Sequence, residues 1–475
     1  MSQAALIRDL GRALGPQCVL AGDAPGARAY LADATASRGV SGHADAVLLP
    51  ADAAGVAAAL AFADAHDIPV TPRGGGSGYA AGAVPHGGLL LSVERLTGAP
   101  QVAPERWSLR TPAGVTTATV RRRAAESGLL YPPDPGSLEQ CLIGGNIATN
   151  AGGPHTFKYG VTGRWVRALT VAVMPGRLVE LGHGVSKDVS GLDLRSLMIG
   201  SEGTLGIICA AELALVPAPE VRLPVLARYP DTASGCAAIG AVLASGAIPA
   251  ALEYLDGAAA GDGGFVVLAE ADGAPAAAAE QAARLREALT PGATSLQAPS
   301  TRAEISALWR WREGLSLAIT ARRGGKLSED IVVPVTRLEA AIDAVGEIGA
   351  RHGLEACSWG HAGDGNLHAT FLIDRDDPTE IRRAEAAAEE LFDLAVALDG
   401  SLSGEHGIGT LKRGAAARLL TPEVIALQAA VKAALDPKGL LNPGKKLPAR
   451  PVSAHAGASP TQMADGVAGG PTSGA

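Results

Sequence analysis

Aromatic residues are scarce in this chain: Phe, Trp and Tyr make up 3% of its 475 residues. Few rings are therefore on hand to stack a planar aromatic substrate. Cysteine is scarce as well. Cys18, Cys141, Cys209, Cys236 and Cys357 are scattered, odd in number and form no Cys-x-x-Cys pair. That argues against a disulfide framework and fits a reducing compartment. Positive charge is not in excess: 40 Lys and Arg against 48 Asp and Glu leave a net charge of −8. No nucleic-acid footprint is expected from that balance. No apolar run is long enough to span a bilayer. The first ten residues lack a basic stretch followed by an apolar core, so no signal peptide is expected and the location read is cytoplasmic.

What is present is length, glycine and periodic apolar pattern. A chain of this size suggests two or three domains. Met1 to Leu10 reads as the start of a short amphipathic helix within a helical segment, residues 1–41. Ala46–Pro50 reads as a strand, Ala53–His66 as an Ala-rich helix and Ile68–Thr71 as a second strand, which makes a β-α-β unit. Val115–Gly128 is helical in pattern. Residues 132–163 are rich in Gly, Asn and Pro and read as loops of functional length. Ala168–Val173 and Leu178–Leu181 flank Pro175-Gly176 as a hairpin. The style changes near Pro217, where a boundary is expected between a first domain, 42–217, and a second, 218–400. Asp377-Pro378-Thr379-Glu380 starts a helix that stops at Gly400. Thr421-Pro422 starts another that ends before Asp436-Pro437. Residues 401–448 form a closing segment, and 449–475 are expected to be a disordered tail of Ala, Gly, Ser and Pro. The fold class read from this order is α+β.

The most specific stretch is Gly360-His361-Ala362-Gly363-Asp364-Gly365-Asn366-Leu367-His368. Asp-Gly favours a two-residue hairpin loop. With that loop, His361 stands opposite His368, with Cβ atoms ~5 Å apart. Two imidazoles so placed suit one divalent cation. Downstream, glycines bracket Glu405-His406. Glu405 completes a two-His, one-carboxylate set, and His406 is a candidate general base. The bland alternatives are a hairpin with incidental histidines and a solvated Glu-His pair.

The run Gly74-Gly75-Gly76-Ser77-Gly78 follows a strand and could offer backbone N–H groups to a diphosphate. It is neither a G-x-G-x-x-G fingerprint nor a P-loop. Three further Gly/Asn/Pro loops in the same region fit a long, flat ligand such as a dinucleotide. Thr301-Arg302-Ala303-Glu304 reads as a capping box. The helix after it places Ile305, Leu308, Arg312, Leu315 and Ile319 on one stripe. An arginine in such a stripe needs an anionic partner, either a ligand carboxylate or a protein acid. The spacing leaves both open.

Together, Pro72–Gly78, the 132–163 segment, Ser201-Glu202-Gly203-Thr204-Leu205-Gly206, the 360–368 hairpin, Gly404-Glu405-His406-Gly407 and Asn442-Pro443-Gly444-Lys445 closely resemble the FAD-linked oxidase family. Within it, they are similar to the group of glycolate oxidase flavin subunits, D-lactate dehydrogenases and D-2-hydroxyglutarate dehydrogenases. The resemblance runs from about residue 20 to 448. It implies a two-subdomain PCMH-type FAD-binding domain plus an α+β substrate (cap) domain, with a C-terminal helical segment returning to the flavin. It implies that Pro72, Arg73, Gly74, Gly75, Gly76, Ser77 and Gly78 hold the FAD diphosphate. Pro133, Asp134, Ser137, Gly144, Gly145, Asn146, Asn150, Gly152, Gly153, Glu202, Gly203, Gly206, Ile207, Ile208 and Asn442 then line the cofactor. Arg312, Ser316 and Lys326 match substrate-carboxylate positions. On the hairpin geometry above, His361, His368 and Glu405 are expected to bind one divalent metal, zinc or manganese. The glycine loop has no histidine, which implies non-covalent FAD.

The activity expected is oxidation of a small (R)-2-hydroxy acid, glycolate or D-lactate first. Its partners are that acid and an electron acceptor: a quinone, a cytochrome or an electron-transfer flavoprotein. A homodimer and a location peripheral to the inner membrane are compatible with this. Three readings stay open beside it: D-2-hydroxyglutarate as substrate, an aryl-alcohol oxidase, and a flavin-carrying subunit inactive without its complex. Thr370 stands where the 2-hydroxyglutarate enzymes tend to carry Asn.

Overall fold

Three large sheets are built in chain order, beside a two-stranded one that pairs Leu129–Leu130 with Val216–Pro217, and local signals place most of their connections. The computed structural model describes residues 2–448, so the expected tail at 449–475 lies outside the described residues. The first helix, Gln3–Leu14, is capped by Ser2 and buries Leu6 and Leu10. A four-stranded sheet follows in the order Val19–Ala21, Ala46–Leu48, Leu89–Ser92, Val70–Arg73. Its last three strands are parallel, as the β-α-β reading requires. The crossover helix, Ala53–Ala65, starts at Asp52, whose carboxylate accepts from the Gly55 N–H. A five-stranded antiparallel sheet is ordered Gln101–Ala103, Ser108–Pro112, Ile207–Ala214, Val166–Val173, Arg177–Leu181. One apolar core joins both sheets, and Leu440 and Leu441 belong to it. The end of the described chain is thus pinned beside the strand that leads to the glycine run. Val70 N–H donates to the Leu440 carbonyl, and Asn442 N–H donates to the Val70 carbonyl.

The 132–163 segment is less irregular than its composition suggests. It holds two short helices, Ile143–Thr149 and Thr156–Tyr159. Ile143 and Ile147, four apart, share one helix face and are fully buried. Burial of that pair overrides the low helix propensity of Gly144 and Gly145.

The third sheet has seven antiparallel strands in the order Ser295–Gln297, Val221–Tyr229, Phe265–Gly273, Ala251–Leu255, Ala356–His361, Asn366–Ile373, Gly325–Val332. Four helices cover one face: Thr232–Ala244, Pro275–Leu289, Leu338–Arg351 and Pro378–Ala397. The other face receives the Arg302–Arg323 helix, whose capping box is formed as the sequence indicates. Leu315 and Ile319 of that helix pack on Leu255, Leu268, Cys357 and Trp359.

Candidate active site

Side chains alternate across a strand, so His361 shares a face with Cys357 and Trp359. Past Trp359 that face turns from apolar to charged. Glu253, Glu270, Asp330, His361 and His368 all lie on it and are buried.

The hairpin departs from the expected register. Trp359, not His361, is the partner of His368. The connection is a 3-10 turn, Ala362–Asp364, closed by Gly365 at φ 69°, so it is longer than a two-residue loop. Apolar burial of Ala362 stabilises the extra turn. The slip is two residues, and an even slip leaves each side chain on its face. The two histidines are therefore diagonal neighbours, with ring centroids 5.3 Å apart.

Glu405 meets them from the closing segment. One ligand atom from each of His361, His368 and Glu405 falls within 4.8 Å of the other two. Glu405 Oε1 is 3.3 Å from His361 Nε2 and 3.5 Å from His368 Nε2. Donors bonded to one ion at ~2.1 Å lie about this far apart, so the set could hold a divalent cation. Burial opposes charge on His361, but the Glu253 carboxylate and a hydrogen bond to it dominate and raise its pKa to about 10. Burial would raise the pKa of Glu405, but the bond to His361 and the charges of His361, His368 and His406 together take it down to about 2. Burial pushes His368 well below the ordinary range.

The loop carrying Glu405 and His406 is held by Asp330, which sequence reasoning missed. Its Oδ2 accepts the backbone N–H groups of Gly404, Glu405 and His406 at 2.7, 2.7 and 3.1 Å. Lys412, fully buried, donates to Asp330 Oδ1 at 2.7 Å. Burial alone would raise the Asp330 pKa, yet Lys412 and these N–H groups hold it far below the usual range. The loop presents His406 between two rings, 5.3 Å from His368 and 4.8 Å from Tyr79.

Arg312 is buried and donates from Nη2 to Glu253 Oε2 at 2.5 Å. Of the two partners open to it, the structure shows the protein acid. Glu253 Oε1 takes the Nδ1 side of His361 at 2.6 Å. Glu253 also escaped sequence reasoning. The signal was available: a carboxylate in the otherwise apolar strand Ala251–Leu255. Lys326 donates to Ser316 and stands 5.0 Å over the Trp359 ring. Burial lowers its pKa to about 8.

Ten buried side-chain polar atoms have no partner among the described residues, and four belong to this one site: Arg312 Nε, Asn366 Oδ1, His368 Nδ1 and His406 Nδ1. Buried polar groups are almost always bonded, so these four atoms could serve a polar ligand.

Residues 44–182 match the model of an FAD binding domain, and residues 218–446 match the C-terminal domain of FAD linked oxidases. The chain belongs to the FAD-linked oxidase family. It is 36% identical to the glycolate oxidase subunit GlcD of Bacillus subtilis, over 84% of this chain and 88% of that one. It is 37% identical to a D-2-hydroxyglutarate dehydrogenase of Xanthomonas citri, over 84% and 88%. The solved 4-ethylphenol oxidase of Gulosibacter chungangensis has the same fold, with TM-score 0.77 at 18% identity over 94% of this chain and 98% of that one. As a family member the chain is a flavoprotein oxidoreductase that binds FAD.

Its residues fit that cofactor. A Cβ on Gly75 would lie 2.2 Å from the Gln140 carbonyl oxygen, and one on Gly74 would lie 3.0 Å from Gly145 Cα. The two glycine segments thus interlock as bare backbone. Beside them runs a cleft of about 380 Å³ lined by Arg73, Gly76, Ser77, Tyr79, Ser137 and Gln140, with residues 28–36 as its far wall. Several side chains expected at the cofactor are already engaged by protein. Arg73 donates to the Ala32 carbonyl, Asp134 bonds His155, and Asn150 accepts from the Gly163 N–H. The Glu202 carboxylate accepts the Ile408 and Gly409 N–H groups at 2.8 and 2.7 Å. It ties the Gly203–Gly206 turn to the loop bearing Glu405. Asn442 donates to the Glu202 carbonyl, leaving its Oδ1 unpartnered. Asn146 bonds Thr117. Ile207 and Ile208 are buried in the five-stranded sheet opposite Ala172 and Val171. Gly152 joins the two regions: a Cβ there would stand 3.0 Å from Glu405 Oε2.

Proposed function

We propose that the chain is an FAD-dependent dehydrogenase of small (R)-2-hydroxy acids, with glycolate or D-lactate favoured, yielding the 2-oxo acid. One observation carries this reading: His361, His368, Glu405, His406 and Arg312 converge beside Gly152, with four of their neighbourhood's polar atoms unpartnered. Two relatives are named for 2-hydroxy acids, glycolate and 2-hydroxyglutarate.

FAD, which Gly74, Gly75, Gly76 and Ser77 would help to hold, would supply a hydride acceptor for C2 of the substrate. A divalent ion, zinc or manganese, held by His361, His368 and Glu405 would acidify the 2-hydroxyl. The remaining work belongs to side chains. Glu253 occupies one edge of the Arg312 guanidinium, and the unpartnered Nε edge is free to grip the substrate carboxylate. His406 Nδ1 accepts the hydroxyl proton. Asp330 Oδ1 lies 3.5 Å from that nitrogen.

Purified yellow protein assayed with a dye acceptor against a panel of 2-hydroxy acids tests this. Turnover of glycolate or D-lactate is expected, abolished by chelation and restored by a divalent ion while the flavin spectrum persists. Full activity in metal-free protein would remove the metal from the reading. Acid precipitation should release the yellow colour, because FAD is held non-covalently. Bound flavin without any turnover would instead favour a carrier subunit that works only in a complex, as the name of one relative, a glycolate oxidase subunit, suggests.

D-2-hydroxyglutarate is the second reading. Lys326 is a half-buried cation with a hydroxyl partner and no carboxylate salt bridge among the described residues, which suits a second substrate carboxylate. Exclusive turnover of that diacid would select it.

A further inference from the structure

The charged face of the seven-stranded sheet carries two carboxylates built alike. Glu253 and Glu270 are both fully buried, and each bridges the Arg302–Arg323 helix to a histidine. Glu253 joins Arg312 to His361. Glu270 Oε2 accepts from Trp309 Nε1 at 2.6 Å, and its Oε1 is 3.2 Å from His155 Nε2. Trp309 and Arg312 are three residues apart, on one side of the helix. The second bridge therefore acts on the same turn of helix as the first.

His155 comes from the other domain. It follows Gly152-Gly153, the turn that touches Glu405. Its Nδ1 is 2.5 Å from Asp134 Oδ2. Each ring nitrogen faces a carboxylate oxygen, so only the doubly protonated ring can donate to both. Burial works against that charge, but Asp134 and Glu270 together more than offset it and raise the pKa to about 9. The His155 and Trp309 rings also pack at 5.2 Å. Removing either partner leaves a buried carboxylate short of a donor, which is costly.

We propose that His155 is a positioning residue: through Glu270 and Trp309 it fixes the helix bearing Arg312 in register with the Asn150–Gly153 turn, and so sets where the substrate carboxylate is held relative to the cofactor. This rests on the reading of Arg312 as the carboxylate clamp. On that reading Arg312 touches the substrate carboxylate and His155 does not touch the substrate.

The test uses flavin-loaded protein and oxalate, a carboxylate that cannot be oxidised, titrated while the flavin absorbance is followed. His155→Gln, Trp309→Phe, their double variant and Arg312→Ala are compared, each with its KM and kcat for D-lactate. Trp309→Phe keeps an aromatic side chain at the site while deleting the N–H with part of the indole, so it guards against a misfolded His155 variant. Each single variant should retain flavin, bind oxalate about 10-fold more weakly and raise KM by a similar factor, as expected for one charge-assisted hydrogen bond. The change in kcat should be smaller. The double variant should be no worse than the weaker single one, because both act through Glu270. Unchanged oxalate binding in Trp309→Phe, or effects of the two changes that simply add, would overturn the proposal. If Arg312→Ala itself leaves oxalate binding intact, the clamp reading has failed and this inference falls with it. If Arg312→Ala weakens oxalate and Trp309→Phe does not, the clamp stands and only the role of His155 is lost.

Discussion

The two faces of the seven-stranded sheet are made by the same strands and serve different ends. The face under four helices is mostly apolar: Tyr254, Phe265, Val267, Leu327, Ile331, Leu367 and Phe371 are all buried there, with Ser358 and the ion-paired Glu329 among them. The opposite face is apolar only under Leu315 and Ile319. Beyond Trp359 it carries Glu253, Glu270, Asp330 and two histidines, just as deeply buried. Burial is therefore not what separates core from site. The difference lies in how the buried groups are satisfied. On the first face, area removed from water does the work, at about 25 cal/mol per Å². On the second, every carboxylate must find donors. Glu253 and Glu270 each bridge two elements, and Asp330 gathers three backbone N–H groups and Lys412. Such a network holds its members in one geometry, which catalysis needs and a greasy face cannot impose.

The contrast can be broken by substitution on each face. On the charged face, His406→Asn should lower kcat by ~10²–10⁴-fold with flavin content unchanged. Near-normal turnover would move the base elsewhere. On the apolar face, Phe371→Ala should cost ~3–5 kcal/mol of stability. Its kcat per bound flavin should be unchanged in the fraction that folds, measured by denaturant melts beside single-turnover reduction of the flavin. A large kcat loss there would mean that the faces are not separable. Arg312→Lys keeps the charge but not the planar fork. It should cost ~10–150-fold in kcat/KM, and less with a neutral alcohol analogue. Glu253→Gln should weaken metal binding by ~10–100-fold, read by competition with a coloured chelator. Equal affinity would show that Glu253 serves Arg312 alone.

The smallest effect expected is on pH dependence. The folded-state pKa of His155 lies above its unfolded value. Its contribution to stability is therefore complete below about pH 6.5 and is lost as pH rises through about 9. Asp134 and Glu270 face the ring directly; Arg222 is 3.8 Å from Glu270, and Arg121 and Glu313 stand near Asp134. Urea melts at pH 7 and pH 9.5 should differ more for the parent than for His155→Gln. An identical difference would remove the ring's charge from the account.

Local sequence determined the elements whose ends have local causes. The capping box at Thr301 and Glu304, the Asp377-Pro378 and Thr421-Pro422 helix starts and the β-α-β unit before the glycine run all depend on neighbours within a few residues. The meeting of His361 and His368 was legible for a different reason. The register was misread by two residues, yet the pleat has period two, so the shared face survived the error. An odd slip would have parted the rings. The stripe rule that singled out Arg312 on a helix applies equally to Glu253 and Glu270 in apolar strands, and that signal was present and unused. The partners themselves were not legible. Arg312 and Glu253 are 59 residues apart, His361 and Glu253 are 108 apart, and His155 and Glu270 are 115 apart. A buried charge announces that it needs a partner through its cost of desolvation, which is a property of one residue. Which partner it finds depends on how sheets and helices from distant segments stack, and only the tertiary structure decided that.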